Sequence, residues 1–243
     1  AYNPGRSTRV NSAFAAHWIK ENTGRDVLFT LATRDMNKVA AQSLLLGAAL
    51  MGLQNVVAVQ GDRFTDKDLA TVQPVTDIRP TELVSSVNSM NQGLDFKGGK
   101  LRSPTSLCVG ATIDLGHEIQ RETRLTRKKV EAGAQFFLLQ ALFDTQRLEE
   151  FLDGYERTYG EALSIPVFCG IQVMTSDSLV FGDVPRWIND DLEKGRAGED
   201  IAVQVLKQFV GQGFKSIYLI PPIMRGGRRD YQAAQHVLEA FKE

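Results

Sequence analysis

Several apolar runs of this chain end on residues that can do chemistry. Thr33-Arg34-Asp35, Gln60-Gly61-Asp62, Thr112, Asp114, Gln140 and Gln172 each stand at or just past the end of such a run. Amides, hydroxyls and carboxylates in these positions suit a polar heterocycle, provided that strand ends bring them to one mouth. Gln140 is the sharpest case, because FFLLQALFD is apolar on both sides of it. A buried amide there must be hydrogen-bonded or cost about 1–3 kcal/mol. A ligand and a neighbouring strand are equally good partners for it. NVVAVQGD raises the same question at Asp62. Gly-Asp is ordinary turn chemistry, and it is also where a parallel strand would present a carboxylate at its C-terminal end.

Two basic stretches offer phosphate a grip. RLTRKKVEAGA carries Arg124, Arg127, Lys128 and Lys129, and reads either as a solvated helix face or as a clamp. The helical period sets Lys129 beside Leu125 and Glu122, so only one or two of these cations can face a ligand. PPIMRGGRRD, after the last apolar run, reads as a flexible connection or as a Gly-Arg anion site. His117, in DLGHE, is a lone loop histidine, and Trp187, in DVPRWIND, reads as packing. Nucleophilic catalysis finds little support: there is no Gly-x-Ser-x-Gly elbow, and neither cysteine has a histidine near it in sequence. The three scattered histidines (His17, His117, His236) and two cysteines show no metal-ligand spacing. Cys108 and Cys169 both lie in apolar runs and read as buried thiols in a reducing cytoplasm.

The elements that must position these residues alternate. Strand-like runs cover 27–33, 55–60, 106–113, 135–140, 165–172 and 216–222. They are too apolar for half-exposed antiparallel strands, so a buried parallel sheet is predicted. Amphipathic helices are predicted at 10–21, 37–53, from Pro80, at 119–132, 145–159, 199–210 and 231–242. The order is one helix followed by six strand–helix units, which implies crossover connections. No G-x-G-x-x-G follows a strand, which argues against an open dinucleotide-binding sheet. The alternative is a (β/α)8 TIM-type barrel. The chain then supplies strands 3 to 8 with their helices, preceded by helix 2, as a single barrel domain over 1–243. About the first one and a half βα units, roughly 50–60 residues, are expected to lie outside the chain. The loops 63–79 and 93–105 are long enough to hang over a barrel mouth.

Composition narrows the partners. The chain has 243 residues, 43% hydrophobic and 23% charged, with a net charge of −1. That balance gives no reason to expect nucleic acid or an anionic membrane. No apolar run approaches a membrane span, and the opening AYNPGRSTRV lacks both Met and a signal-peptide pattern. On these grounds alone the chain is a barrel enzyme with a polar mouth, acting on a heterocyclic or phosphorylated ligand.

The longer motifs carry a resemblance. LATRDMN followed by QSLLLGAALMGLQNVVAVQGD, with RKKVEAGAQFFLLQALFD further on, resembles the 5,10-methylenetetrahydrofolate reductase family. It is most similar to the form fused to bacterial homocysteine methyltransferases. VGATID, PVFCGIQV and GFKSIYLIPP follow in the family's order. The resemblance implies a flavoprotein oxidoreductase of one-carbon metabolism and methionine biosynthesis, with FAD or FMN bound. NADH or NADPH reduces the flavin, which passes hydride to 5,10-methylenetetrahydrofolate. It implies a folate substrate and a homo-oligomer or a subunit of a larger complex.

By position, the resemblance makes Asp62 the carboxylate beside the flavin that supports the cationic iminium form of the folate. Thr30, Gln60, Gly61 and Thr112 line the flavin, with His117 near it. Glu122, Lys128 and Lys129 contact its ribityl and phosphate part. Gln140 holds the pterin, and Phe181, in LVFGD, stacks on the ligand. Gly61 would let a flat ring approach the backbone. The departures are Thr30 where many members have His, Gln60 where they have Arg, and Thr112 where they have an aromatic. The family's general acid, a Glu on its first strand, has no counterpart here and is expected in a preceding segment. A flavin- or folate-binding subunit without turnover, and an unrelated barrel enzyme acting on a phosphorylated small molecule, are the alternatives.

Overall fold

Runs rich in Val, Ile, Phe and Leu form the strands, and helices with one apolar face connect them. The computed structural model describes residues 1–180 and 182–242. Its contacts divide the chain into two compact units, one of residues 1–112 with 126–136, the other of 113–125 with 137 onward.

The first unit runs α1 (Ser12–Thr23), β1 (Leu28–Ala32), a 3-10 turn (Thr33–Asp35), α2 (Lys38–Leu50), β2 (Asn55–Val59), α3 (Asp66–Leu69), α4 (Pro80–Asn91) and β3 (Cys108–Ile113). β2 pairs in parallel with β1, Val56 opposite Phe29, and with β3, Val56 opposite Val109. Val56, Val57 and Ala58 are all buried, as expected of a strand covered on both faces. α2 starts where the Asn37 side chain accepts the Ala40 N–H at 2.9 Å. α4 starts at Pro80, with the Glu82 carboxylate accepting the Arg79 N–H at 2.7 Å.

The loop 93–105 does not reach the strand ends that carry chemistry. It leads from the C-terminus of α4 to the N-terminus of β3 and folds back on α2. There the Phe96 N–H donates to the buried Gln42 amide at 3.0 Å. The loop 63–79 does reach them, since the Val75 N–H donates to the Arg34 carbonyl at 2.8 Å.

α5 (Ile119–Glu131) is divided between the units. The second unit continues with β4 (Phe136–Ala141), α6 (Gln146–Tyr159), β5 (Val167–Gln172), α7 (Arg186–Glu193), α8 (Gly198–Gly211), β6 (Ile217–Ile220) and α9 (Tyr231–Lys242). β5 pairs in parallel with both β4 and β6. The β4–β5 register shifts between Leu138, opposite Phe168, and Ala141, opposite Gly170. Two residues of β4 therefore face one of β5, which makes a bulge at Leu139 and Gln140.

Gly170 makes room for a side chain from β6. A Cβ at 170 would stand 2.7 Å from the Tyr218 hydroxyl and 2.8 Å from its ring. Gly170→Ala is expected to destabilise by about 1–3 kcal/mol through overpacking. The effect reads as a lower urea midpoint at unchanged m-value. An unchanged midpoint would mean that the ring swings aside without cost.

Candidate active site

At the C-terminal ends of β1 and β2, one arginine organises the chain. Arg34 is 6% exposed. Its guanidinium forks onto the neighbouring Asp35 carboxylate, with Nε at 2.6 Å and Nη2 at 2.8 Å. Nη1 donates to the Asp62 carbonyl at 2.7 Å, and the cation lies 4.4 Å from the centre of the Phe64 ring. The Arg34 N–H donates to the Gln60 carbonyl at 3.0 Å. Burial works against ionisation of Asp35, but hydrogen bonds from Arg34 and Asn3 outweigh it and hold this carboxyl below the ordinary carboxylate range.

Gly61 has a different neighbour from the one anticipated. Its φ is +87°, and a Cβ there would stand 3.3 Å from the Ala32 Cβ and 3.4 Å from the Arg34 Cβ. What approaches this backbone closely is the β1 end and its arginine. Gln60 and Asp62, on either side, are exposed.

The segment before α1 lies on these same residues. The Tyr2 N–H donates to the Thr30 hydroxyl at 2.7 Å, and the Gly5 N–H to the Asp62 carboxylate at 2.8 Å. The Asn3 amide donates to Asp35 at 3.3 Å. Asn3 and Arg6 hold left-handed conformations, at φ 41° and 60°. Strain of this kind collects at functional sites.

α5 sorts its charges. Glu122 is 1% exposed, while Arg124 and Lys128 are exposed. Lys129 is half-buried and donates through Nζ to the Thr112 carbonyl at 2.6 Å. The hydroxyls of Thr123 and Thr126 are buried without a hydrogen-bond partner. The basic run is thus neither wholly a solvated face nor wholly a clamp.

In the second unit Gln140 is exposed, contrary to the burial expected from its apolar flanks. The bulge accounts for this, because an extra residue breaks the alternation of a strand and re-aims the side chain. Gln172 shows the opposite outcome. It is 2% exposed, and its amide donates to the Leu179 carbonyl at 2.6 Å, tying down the loop after β5. A cavity of about 210 Å³ opens beside that loop, lined by Thr175, Ser178 and Val180 with Asn189 and Leu192 of α7. Phe181 lies outside the described residues.

His117 is exposed, with Nε2 3.4 Å from Asp114, and its carbonyl accepts Arg147 Nη2 at 2.9 Å. PPIMRGGRRD is not a loose connection: it closes a tight turn in which the Met224 N–H donates to the Arg228 carbonyl at 2.8 Å. Cys169 is buried but Cys108 only half-buried, and burial raises both thiol pKa values, that of Cys169 to about 11.

Sequence reasoning placed Arg34 at a strand end but gave it no role. It missed Tyr218 and Arg147 altogether. For Arg34 the signal was a charge within LATRD that had to be neutralised, and Asp35 beside it does so. Among the described residues, no group of three or more His, Cys, Asp or Glu is placed to hold a metal. None of the described helices is long and apolar enough to cross a membrane. A cavity of about 340 Å³ is lined by Lys38, Ser86 and Phe96 among others, and by none of the strand-end residues.

Comparison with known proteins separates fold from family. The chain is similar to the solved structure of 2,3-dimethylmalate lyase, a PEP mutase/isocitrate lyase superfamily member, at 13% identity and a TM-score of 0.52. The match covers 95% of this chain and 62% of the lyase, so the chain spans less than two thirds of that protein's length. Phosphonopyruvate hydrolase matches at 13% identity and a TM-score of 0.47, over 96% of this chain and 65% of the hydrolase. At 13% identity the likeness to the lyase is one of fold alone. No curated protein matches the chain. The model of the methylenetetrahydrofolate reductase family matches residues 1–220, a span that holds Asp35, Asp62 and the bulged glutamine. The chain therefore belongs to the methylenetetrahydrofolate reductase family.

Proposed function

We propose that the protein takes part in the flavin-dependent reduction of 5,10-methylenetetrahydrofolate to 5-methyltetrahydrofolate, with a reduced nicotinamide as electron donor. The observation that carries this reading is Asp62, an exposed carboxylate in the turn just past the end of β2, within the family match. The six strand–helix units are read as part of a (β/α)8 barrel with its chemistry at the C-terminal strand ends.

The donor set suits a flavin. The Gln60 amide and the hydroxyls of Thr30 and Thr112 would hydrogen-bond the edge of the ring, Thr30 while still accepting the Tyr2 N–H. Lys128 is exposed and suits the phosphate. Gly61 remains a proposed flavin contact, on the side of its backbone away from Ala32 and Arg34. His117 and Glu122 complete the proposed flavin contacts. A bound flavin supplies the hydride.

The chain's own residues bind and polarise. Asp62 places a fixed negative charge where the folate becomes an iminium cation. Such a charge acts most strongly when its direction is set before the reaction; the Gly5 N–H on the carboxylate and the Arg34 bond to the main-chain carbonyl of the same residue both favour that. Gln140 offers an amide donor and acceptor to the pterin, and Phe181 an aromatic face. The donor is NADH or NADPH and the flavin FAD or FMN. A homo-oligomer or a larger complex in the cytoplasm is the expected setting.

The test is an absorbance spectrum of the purified protein, before and after anaerobic addition of NADH and then of NADPH. Flavin bands that bleach with a nicotinamide and recover with methylenetetrahydrofolate are expected. A colourless protein that also fails to take up added FAD or FMN would overturn the reading.

A further inference from the structure

We propose that Tyr218 is a positioning residue for Gln140, acting through the β4 bulge. The inference rests on reading Gln140 as the substrate-binding amide.

Between Leu138 and Ala141, Leu139 and Gln140 stand where β5 has Cys169 alone. The regular ladder is interrupted there, and Leu139 is 1% exposed, so its carbonyl needs a partner that water cannot supply. Tyr218 is that partner. It stands opposite Gly170 in the β5–β6 register, yet its hydroxyl donates to the Leu139 carbonyl of β4. The phenol thus reaches over β5, and the space it uses exists because residue 170 has no side chain. The Gln140 carbonyl lies 3.2 Å from where a Cβ of residue 170 would be, so both peptide groups of the bulge lie against this one contact.

The direction of Gln140 depends on the bulge. In a regular strand successive side chains alternate, and loss of one residue from the register turns every later side chain to the other face. A hydroxyl that holds the bulge closed therefore holds the amide at one orientation. The hydroxyl is a dependable donor, since burial, with Cys169 beside it, raises the Tyr218 pKa to about 12.

Tyr218→Phe removes the hydroxyl and leaves the ring over Gly170. The test is calorimetric titration of 5-methyltetrahydrofolate into the purified protein, Tyr218→Phe, Gln140→Ala and the double variant, with thermal midpoints measured alongside. Each single variant is expected to weaken binding on the order of 5–10-fold, the effect of about one hydrogen bond. The double variant is expected to bind no more weakly than Gln140→Ala alone, because the hydroxyl acts through that amide. The fall in midpoint caused by Tyr218→Phe should be the same in both backgrounds, which separates positioning from folding. Unchanged affinity in Tyr218→Phe, or a loss that adds fully to that of Gln140→Ala, overturns the positioning role while leaving the amide's role standing. Unchanged affinity in Gln140→Ala overturns both.

Discussion

Asp62→Asn is expected to slow reduction of the folate about 10²-fold, while reduction of the flavin by the nicotinamide stays within a few-fold of wild type. The size is that of removing one oriented electrostatic group from a reacting centre. The asymmetry follows from where charge develops, because only the folate step passes through a cation beside this carboxylate. The substitution is clean in this structure. The one hydrogen bond described for the carboxylate comes from the Gly5 N–H, and an asparagine oxygen accepts it equally well. The loop itself is held by Arg34 through the main-chain carbonyl of residue 62, which the change does not touch. Anaerobic stopped-flow absorbance resolves the two half-reactions. Equal slowing of both would show that Asp62 serves flavin binding or the loop and not the cation.

Arg34→Met is expected to lower folding stability by about 3–5 kcal/mol, the usual cost of stranding one partner of a buried ion pair. The stranded group is Asp35, whose side chain is 15% exposed. The Asp62 carbonyl would lose its donor in the same step. Urea denaturation measures the loss, and Arg34→Met/Asp35→Leu should recover most of it, since the penalty belongs to the unpaired charge. Recovery of nothing would place the arginine's contribution in its contacts with Phe64 and the 60–62 loop.

The pH dependence carries a sign. The folded pKa of Asp35 lies below its unfolded value, so its pairing stabilises the fold above about pH 4 and is lost as pH falls through the folded pKa. The gap between wild type and Arg34→Met should therefore narrow in acid. A gap that widens there would contradict the pairing.

Much of the frame was legible because its signals are local. Each strand lies in a mostly apolar run, and the helices between them declare their ends with Asn37, Pro80 and the glycine after α5. α7 was not legible: RWINDDLE spans two turns and buries Ile188 alone, too little for a period to show. At the site, residue types were readable and directions were not. Gln140 sits in an apolar run, and burial was the natural expectation. An inserted residue in a strand leaves no mark in composition, so the exposed amide could not be foreseen. Gly61 was expected beside a flat ring, and sequence could not show that Ala32 and Arg34 also pack against it. Tyr218 was invisible for the same reason, since its partner Leu139 lies 79 residues away in sequence.

The Gly170–Tyr218 contact also shapes how this chain can change over time. Any side chain at 170 collides with the phenol, so position 170 is closed to substitution while tyrosine is present. Shrinking Tyr218 first would strip the cover from a bare glycine and leave a peptide carbonyl dry and unpaired. Each single step is unfavourable, whereas a joint exchange that fills the same volume from β5 is not. The two positions should therefore drift as a pair among relatives, and a relative that lacks one should lack the other.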